Sequence, residues 1–212
     1  MKTRAKGLVI AIDGPSGAGK STVAKRFADR IGYRQIDTGA MYRAVSWLIS
    51  QSGIDLADSQ QLERFCNDLD ISFIWSNGNQ RVIANGHDAT DHIRSPEMSL
   101  MTSRVSALKP VREAMVRSQQ IMGHDGGVVL EGRDIGTVVF PDAELKFFLF
   151  ASPEERGRRR YQELIAKGEK VTLEETIEAV VKRDLQDSQR DIGPLKQADD
   201  AISVDSSGIT VD

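Results

Sequence analysis

Short strand-like stretches recur along this chain, the first of them an unbroken apolar run, separated by segments whose apolar residues return at helical spacing. Five stretches read as strands, at 7–13, 33–37, 127–131, 144–150 and 201–205, the first as a buried one. After the first, Val23, Ala24, Phe27, Ala28 and Ile31 fall on one helical face. Helical stretches lie between most of the strands, which predicts an α/β fold: a five-stranded parallel sheet with helices on both faces. Residues 68–92 break this rhythm. Ile71, Phe73 and Trp75 alternate up to Asn77-Gly78, Arg81-Val82-Ile83-Ala84 follows, and Asn85-Gly86 offers a second turn. Asn-Gly pairs suit type I′ hairpins, so a small antiparallel sheet is expected here as an insertion. Ser152-Pro153-Glu154-Glu155 and Thr172-Leu173-Glu174-Glu175 read as capping boxes. Ser95-Pro96-Glu97 and Pro110-Val111-Arg112 mark two more helix starts.

The first strand runs into Gly14-Pro15-Ser16-Gly17-Ala18-Gly19-Lys20-Ser21, which fits G-x-x-x-x-G-K-[ST], the phosphate-binding loop. Strand, glycine loop and helix start together aim backbone N–H groups and the positive end of a helix at a polyphosphate. In that arrangement Lys20 reaches the β- and γ-phosphates and the Ser21 hydroxyl ligates Mg²⁺. The pattern predicts a nucleoside-triphosphate site.

Composition narrows the field without changing it. The chain has 212 residues, 40% of them hydrophobic and 28% charged, enough for one core with an insertion. A net charge of −3 gives no bulk attraction to nucleic acid. The single cysteine, Cys66, excludes an internal disulfide and suits a reducing compartment. The apolar run after Lys2, Arg4 and Lys6 stops at Asp13, too short for a secretion signal or a membrane span. A cytoplasmic protein is expected, and a monomer, because no sizeable exposed apolar stripe is evident. His87, His92 and His124 share no metal-ligand spacing with one another or with Cys66. Phe73 and Trp75 read as packing, and Arg158 as a solvated charge.

A phosphate loop alone leaves GTPases, motors and kinases open. The guanine-reading N-K-x-D motif is absent, and no strand ends in the hydrophobic-Asp-Glu pattern of an ATPase motor. Arginines instead follow the strands: Arg43 after the second, Arg133 after the third, Arg156, Arg158, Arg159 and Arg160 after the fourth, then Arg183 and Arg190. Ligands of open α/β sheets bind beyond the carboxyl ends of the strands, which is where several of these fall. Clustered cations near a triphosphate site point to phosphoryl transfer.

In these residues the chain closely resembles the bacterial cytidylate kinases, of the nucleoside monophosphate kinase group. The likeness covers nearly the whole chain. It rests on Gly14–Thr22, on Asp37-Thr38-Gly39-Ala40-Met41-Tyr42-Arg43, and most specifically on Gly132–Ala143 (GRDIGTVVFPDA). Glu155-Arg156 with Arg159-Arg160, and Arg183-Asp184 with Asp187, Arg190, Pro194 and Leu195, add to it. The resemblance implies transfer of the γ-phosphoryl of ATP to CMP or dCMP in pyrimidine nucleotide metabolism. It implies ATP held by Gly14, Pro15, Ser16, Gly17, Ala18, Gly19, Lys20, Ser21 and Thr22, with Arg156, Arg159 and Arg160 in a helical lid. It places Arg43, Arg133 and Arg190 at the acceptor phosphate, where with Lys20 they carry the chemistry. Ser103, Arg112 and Asp134 go to the cytosine, and Thr38, Arg183 and Asp187 to the ribose. One P-loop kinase domain over 1–212 follows. Its core is about 1–40, 123–152 and 190–212, its monophosphate-binding insertion about 41–122, and its lid about 153–189.

The chain departs from the family pattern in two places. Ser21 stands where many members carry glycine, so Ser21 and Thr22 could each contact Mg²⁺ or phosphate, and the final helix of the pattern does not follow the last strand. Two other readings remain at this stage: a P-loop kinase for UMP or a small hydroxylated metabolite, and a nucleotide-binding regulator without turnover. The latter has no need of the acceptor-side arginines.

Overall fold

A computed structural model describes residues 4–76 and 79–210. The chain divides into two compact units, one of residues 1–35 with 125–212 and the other of residues 36–124.

The first unit carries the parallel strands β1 (Val9–Asp13), β6 (Val128–Gly132), β7 (Leu145–Phe150) and β8 (Ile202–Asp205). With β2 (Arg34–Asp37), whose last two residues open the second unit, they form a five-stranded sheet in the order β2-β6-β1-β7-β8. β1 lies in the centre, with Asp13 opposite Gly132 of β6 and Phe148 of β7. β1 and β6 are buried along their whole length, in keeping with the apolar stretches Val9–Ile12 and Val128–Leu130. The β1-to-β2 connection through α1 (Lys20–Ile31) and the β7-to-β8 connection through α6 (Pro153–Ala166) and α7 (Leu173–Ser188) run in opposite directions along the sheet, so right-handed crossovers put α1 on one face and α6 with α7 on the other.

The core of this unit joins Ile10 and Ile12 of β1, Ala24 and Ala28 of α1, Val129 and Leu149, with Val23 and Phe27 packed against it. Phe27 meets Phe147 edge to face at 6.5 Å between centroids. Ile31 departs from expectation: it is exposed, because the helix ends there at Gly32 in the left-handed conformation and leaves the apolar face. Both expected capping residues at 152 and 172 accept from the amide three residues on. At Thr172 the box is complete, since the Glu175 side chain also accepts from the Thr172 amide.

The second unit holds α2 (Thr38–Ser52), α3 (Ser59–Asn67), α4 (Pro96–Val105) and α5 (Lys109–Gly123) around a three-stranded antiparallel sheet. That sheet is β3 (Ile71–Ser76), β4 (Asn79–Ala84) and β5 (His87–Asp88), the expected insertion. The Asn77-Gly78 turn lies outside the described residues. Asn85 and Gly86 have φ of 46° and 78°, the positive pair a type I′ turn requires. Trp75 departs from the expected packing role: half of its surface is exposed, beside an exposed Ile74. Cys66 is buried, and burial pushes its thiol up to about 11.

Candidate active site

The phosphate loop forms at the end of β1. Gly14 has φ of 147°, and a Cβ there would sit 1.9 Å from the carbonyl oxygen of Leu149, so only glycine lets β1 turn so close to β7. At the end of the loop, Gly19 is the N-cap of α1 and offers no side-chain cap, so the first-turn amides of α1 take no cap bond from it. This is the anion-binding geometry that the spacing predicts. Lys20 is buried and its Nζ donates to the carbonyl of Pro15 at 2.6 Å. Burial first, then the like charge of Arg133, hold its ammonium well below the usual lysine range, with Glu131 and Asp13 opposing. An anionic phosphate beside Lys20 would act against both effects and favour the ammonium form.

Ser21 donates its hydroxyl to the buried carboxylate of Glu131 at 2.7 Å, and Gln35 donates to the other Glu131 oxygen at 3.0 Å. Neither Glu131 nor Gln35 lies within the phosphate-loop motif or the segments that carry the family resemblance. In the sequence Glu131 is marked only as an acid ending the apolar stretch 128–130.

On the helical side of this unit, three of the expected cations meet one acid. Asp187 of α7 is 1% exposed and accepts from Arg133 Nε at 2.9 Å through one oxygen and from Arg190 Nη2 through the other. The charge of Arg183 acts on the same carboxylate, and on Lys20. Burial pushes the Asp187 carboxyl up, but Arg133, Arg190 and Arg183 together hold it below the ordinary range. The arginines assigned to one substrate are thus prepositioned by a shared counter-charge.

The cations at 156–160 are not alike. Arg156 is buried and donates to the carbonyls of Ala151 at 2.8 Å and Ser16 at 3.1 Å, with Asp184 at 2.6 Å. Arg159 binds Glu155 and reaches Ser206, whose carbonyl accepts at 2.6 Å. Ser206 itself donates to the carbonyl of Ala18 at 3.0 Å, tying the segment after β8 to the phosphate loop. Arg160 is the more exposed of the three and pairs with Glu163. Arg158 pairs with Glu155 and is largely exposed, as expected of a solvated charge. Asp134 is buried just before a single π-helical turn, Ile135–Val139, and such turns are frequent at functional sites.

In the second unit, Asp37 caps α2 by accepting from Ala40 N at 2.8 Å and pairs with Arg43 at 3.2 Å. Thr38 is buried at the first position of α2. Arg112 of α5 is 2% exposed, its guanidinium over the Tyr42 ring at 5.8 Å. Ser103 lies on α4, half-buried.

The family model for cytidylate kinase matches residues 10–212. The chain is 58% identical to the cytidylate kinase of Geobacter sulfurreducens, across 98% of this chain and 89% of that protein. It is 47% identical to the cytidylate kinase of Bacillus subtilis, across 97% and 92%. It is also 51% identical to a bifunctional pantoate ligase/cytidylate kinase of a Synechococcus strain, across 96% of this chain but 42% of that protein. With a phosphate loop of this geometry and likeness running nearly end to end, the chain belongs to the cytidylate kinase family and is an ATP-dependent phosphotransferase.

Proposed function

We propose that this protein transfers the γ-phosphoryl group of ATP to CMP or dCMP, yielding ADP with CDP or dCDP, as a cytoplasmic monomer in pyrimidine nucleotide metabolism. The observation that carries the reading is the joint placement, within one unit, of the phosphate loop with Lys20 and of the arginines clamped by Asp187. A nucleoside monophosphate has a second pKa of about 6, so its attacking oxygen is already ionised near neutrality. No general base is required. The task is to neutralise two repelling anions and align them in line. Lys20 and the α1 amides take the donor phosphates, while Arg43, Arg133 and Arg190 take the acceptor phosphate.

ATP lies along Gly14, Pro15, Ser16, Gly17, Ala18, Gly19, Lys20, Ser21 and Thr22, with Arg159 and Arg160 from the 153–189 segment closing over it. Arg156 acts beneath it, by fixing the carbonyl of Ser16. Mg²⁺ fits this site through hard oxygen donors, the Ser21 hydroxyl beside the Glu131 carboxylate. The ion would be carried mainly by ATP phosphates and water. It would neutralise charge between the β- and γ-phosphates.

For the base, Asp134 accepts from the cytosine N4 amine, Arg112 donates to the ring's acceptor edge, and Ser103 takes part in binding the same ring. Uracil would set its carbonyl oxygen against the Asp134 carboxylate. Thr38, Arg183 and Asp187 hold the ribose.

An ATP-coupled assay across CMP, dCMP, UMP, AMP and small alcohols tests this reading. CMP and dCMP should be phosphorylated in clear preference to UMP and AMP. Equal use of UMP, or ATP binding without turnover on CMP, would overturn it.

A further inference from the structure

Asp13 stands at the last position of β1, immediately before the phosphate loop, and belongs to no part of the chemistry above. It is 4% exposed, between Gly132 of β6 and Phe148 of β7. Its two oxygens are spent on main-chain donors. Oδ1 accepts from Ile135 N at 2.9 Å and Oδ2 from Gly136 N at 2.7 Å, residues 122 and 123 positions further along. Those amides open the π-helical turn, whose first orphan donors are thereby capped by an acid from another strand. The carbonyl of Asp134 closes the same turn, accepting from Val138 N at 2.9 Å and Val139 N at 3.2 Å. Asp134 is thus fixed on both sides: by β6 through Gly132, and by a turn that Asp13 holds in place.

We infer that Asp13 is a positioning residue for nucleobase selection: its carboxylate locks the start of the 135–139 turn and so aims the Asp134 side chain at the base. The link runs from the residue preceding the ATP loop to the residue preceding the acceptor-reading turn, which registers one loop against the other through two hydrogen bonds. The charged groups that bear on Asp13 are Lys20 of α1 and Asp134 itself, and the Lys146 chain of β7 packs beside Gly136. Gly136 leaves room for the clamp, since a Cβ there would come within 3.4 Å of Asp13 Oδ2 and 3.1 Å of Lys146 Cδ. Asn at 13 keeps one acceptor and turns an N–H against the other amide, so it loosens the turn without emptying the site.

This inference rests on Asp134 reading the base, and the experiment separates the two. The ratio of kcat/KM for CMP to that for UMP is measured for the parent, Asp13→Asn, Asp134→Ala and the double variant. Asp134→Ala should narrow the ratio about tenfold or more, the scale of one lost base contact. Asp13→Asn should narrow it by about tenfold, mostly through KM for CMP, and the double variant should match Asp134→Ala alone, because one residue acts through the other.

If Asp134→Ala narrows the ratio while Asp13→Asn lowers both activities equally, Asp13 is merely structural and the inference falls. A double variant whose losses multiply refutes it too. An unchanged ratio in Asp134→Ala removes the base assignment and the inference with it. Should Asp13→Asn fail to fold, Gly136→Ala presses on the same clamp from its other end. It should narrow the ratio about threefold, and no narrowing overturns the proposal.

Discussion

The end of β1 and the end of α7 each bury one aspartate in the same unit, and each spends both oxygens on hydrogen bonds: Asp13 on two backbone amides, Asp187 on two guanidinium groups. Their charges respond in opposite directions. Burial pushes Asp13 up to about 6, although the amides of Gly136 and Ile135 work against it and Asp134 adds a like charge. Burial pushes Asp187 up as well, yet three arginines more than offset it. Neutral dipoles align a buried carboxylate without compensating its full desolvation, whereas formal opposite charges can do both. The first arrangement suits a clamp on the main chain. The second suits cations that must stay in place until a phosphate arrives.

The largest effect should come from removing the shared acid. Asp187→Ala leaves Arg133 and Arg190 without their common partner at a site where both side chains are less than a fifth exposed. Breaking a buried ion pair from one side costs about 3–5 kcal/mol, read as the change in urea unfolding free energy without nucleotide. Asp13→Asn, which removes a carboxylate whose hydrogen-bond partners are neutral amides, should cost less at neutral pH. Equal losses would end the comparison.

Next comes the pH dependence, with opposite signs. The folded value of Asp13 lies above its ordinary 3.8, so the native state keeps a proton that the unfolded chain gives up. Its contribution is fully present below about pH 4 and is lost as pH rises through about 6, a span worth about 3 kcal/mol. Asp187 is held below its ordinary value. Its contribution is present above about pH 4 and is lost as pH falls through its depressed value. Unfolding free energies of the parent minus Asp13→Asn, and of the parent minus Asp187→Asn, should therefore change in opposite directions with pH.

This contrast also marks what could be read from the sequence. The phosphate loop, the five strands, the insertion and the Thr172 box are local: apolar runs, fixed glycine spacings and acids three residues from a cap express them directly. Position after the strands picked out the arginines and the resemblance gave them roles, but neither shows what holds them. Nothing near Asp13 in the chain announces Ile135 and Gly136, and nothing near Arg133 announces Asp187, because those partners lie 54 to 123 residues away. The π-helical turn stayed hidden for the same reason. Its capping acid comes from another strand, so GRDIGTVVFPDA carries no helix start of its own. Arg156 read as a lid cation because its position on α6 gives no sign that its guanidinium is buried against the carbonyl of Ser16.

A smaller effect sharpens the distinction between clamps and caps. Thr172 and Glu175 bond each other reciprocally at the start of α7, the helix that presents Asp187. Thr172→Ala should cost about 1 kcal/mol in urea unfolding, the usual worth of a hydroxyl cap, and leave kcat for CMP unchanged. A loss as large as that of Asp187→Ala would mean that the whole helix, rather than its carboxylate, secures the arginines.

The smallest effect belongs to a pair that mimics Asp187 in charge but not in burial. In the second unit Asp88 also bonds an arginine, Arg81, and its carboxyl is held at about 2 by that bond and by Thr90. Yet both partners are open to water, and a third of each side chain is exposed. An exposed pair trades its hydration for a contact of similar worth, and salt screens what remains. Asp88→Asn should leave the urea midpoint unchanged within error at about 0.15 M salt. A depressed carboxyl value therefore reports who the neighbours are. It becomes stability only where, as at Asp187, water has been removed from both charges, and a clear shift in the Asp88→Asn midpoint would show that proximity alone is enough.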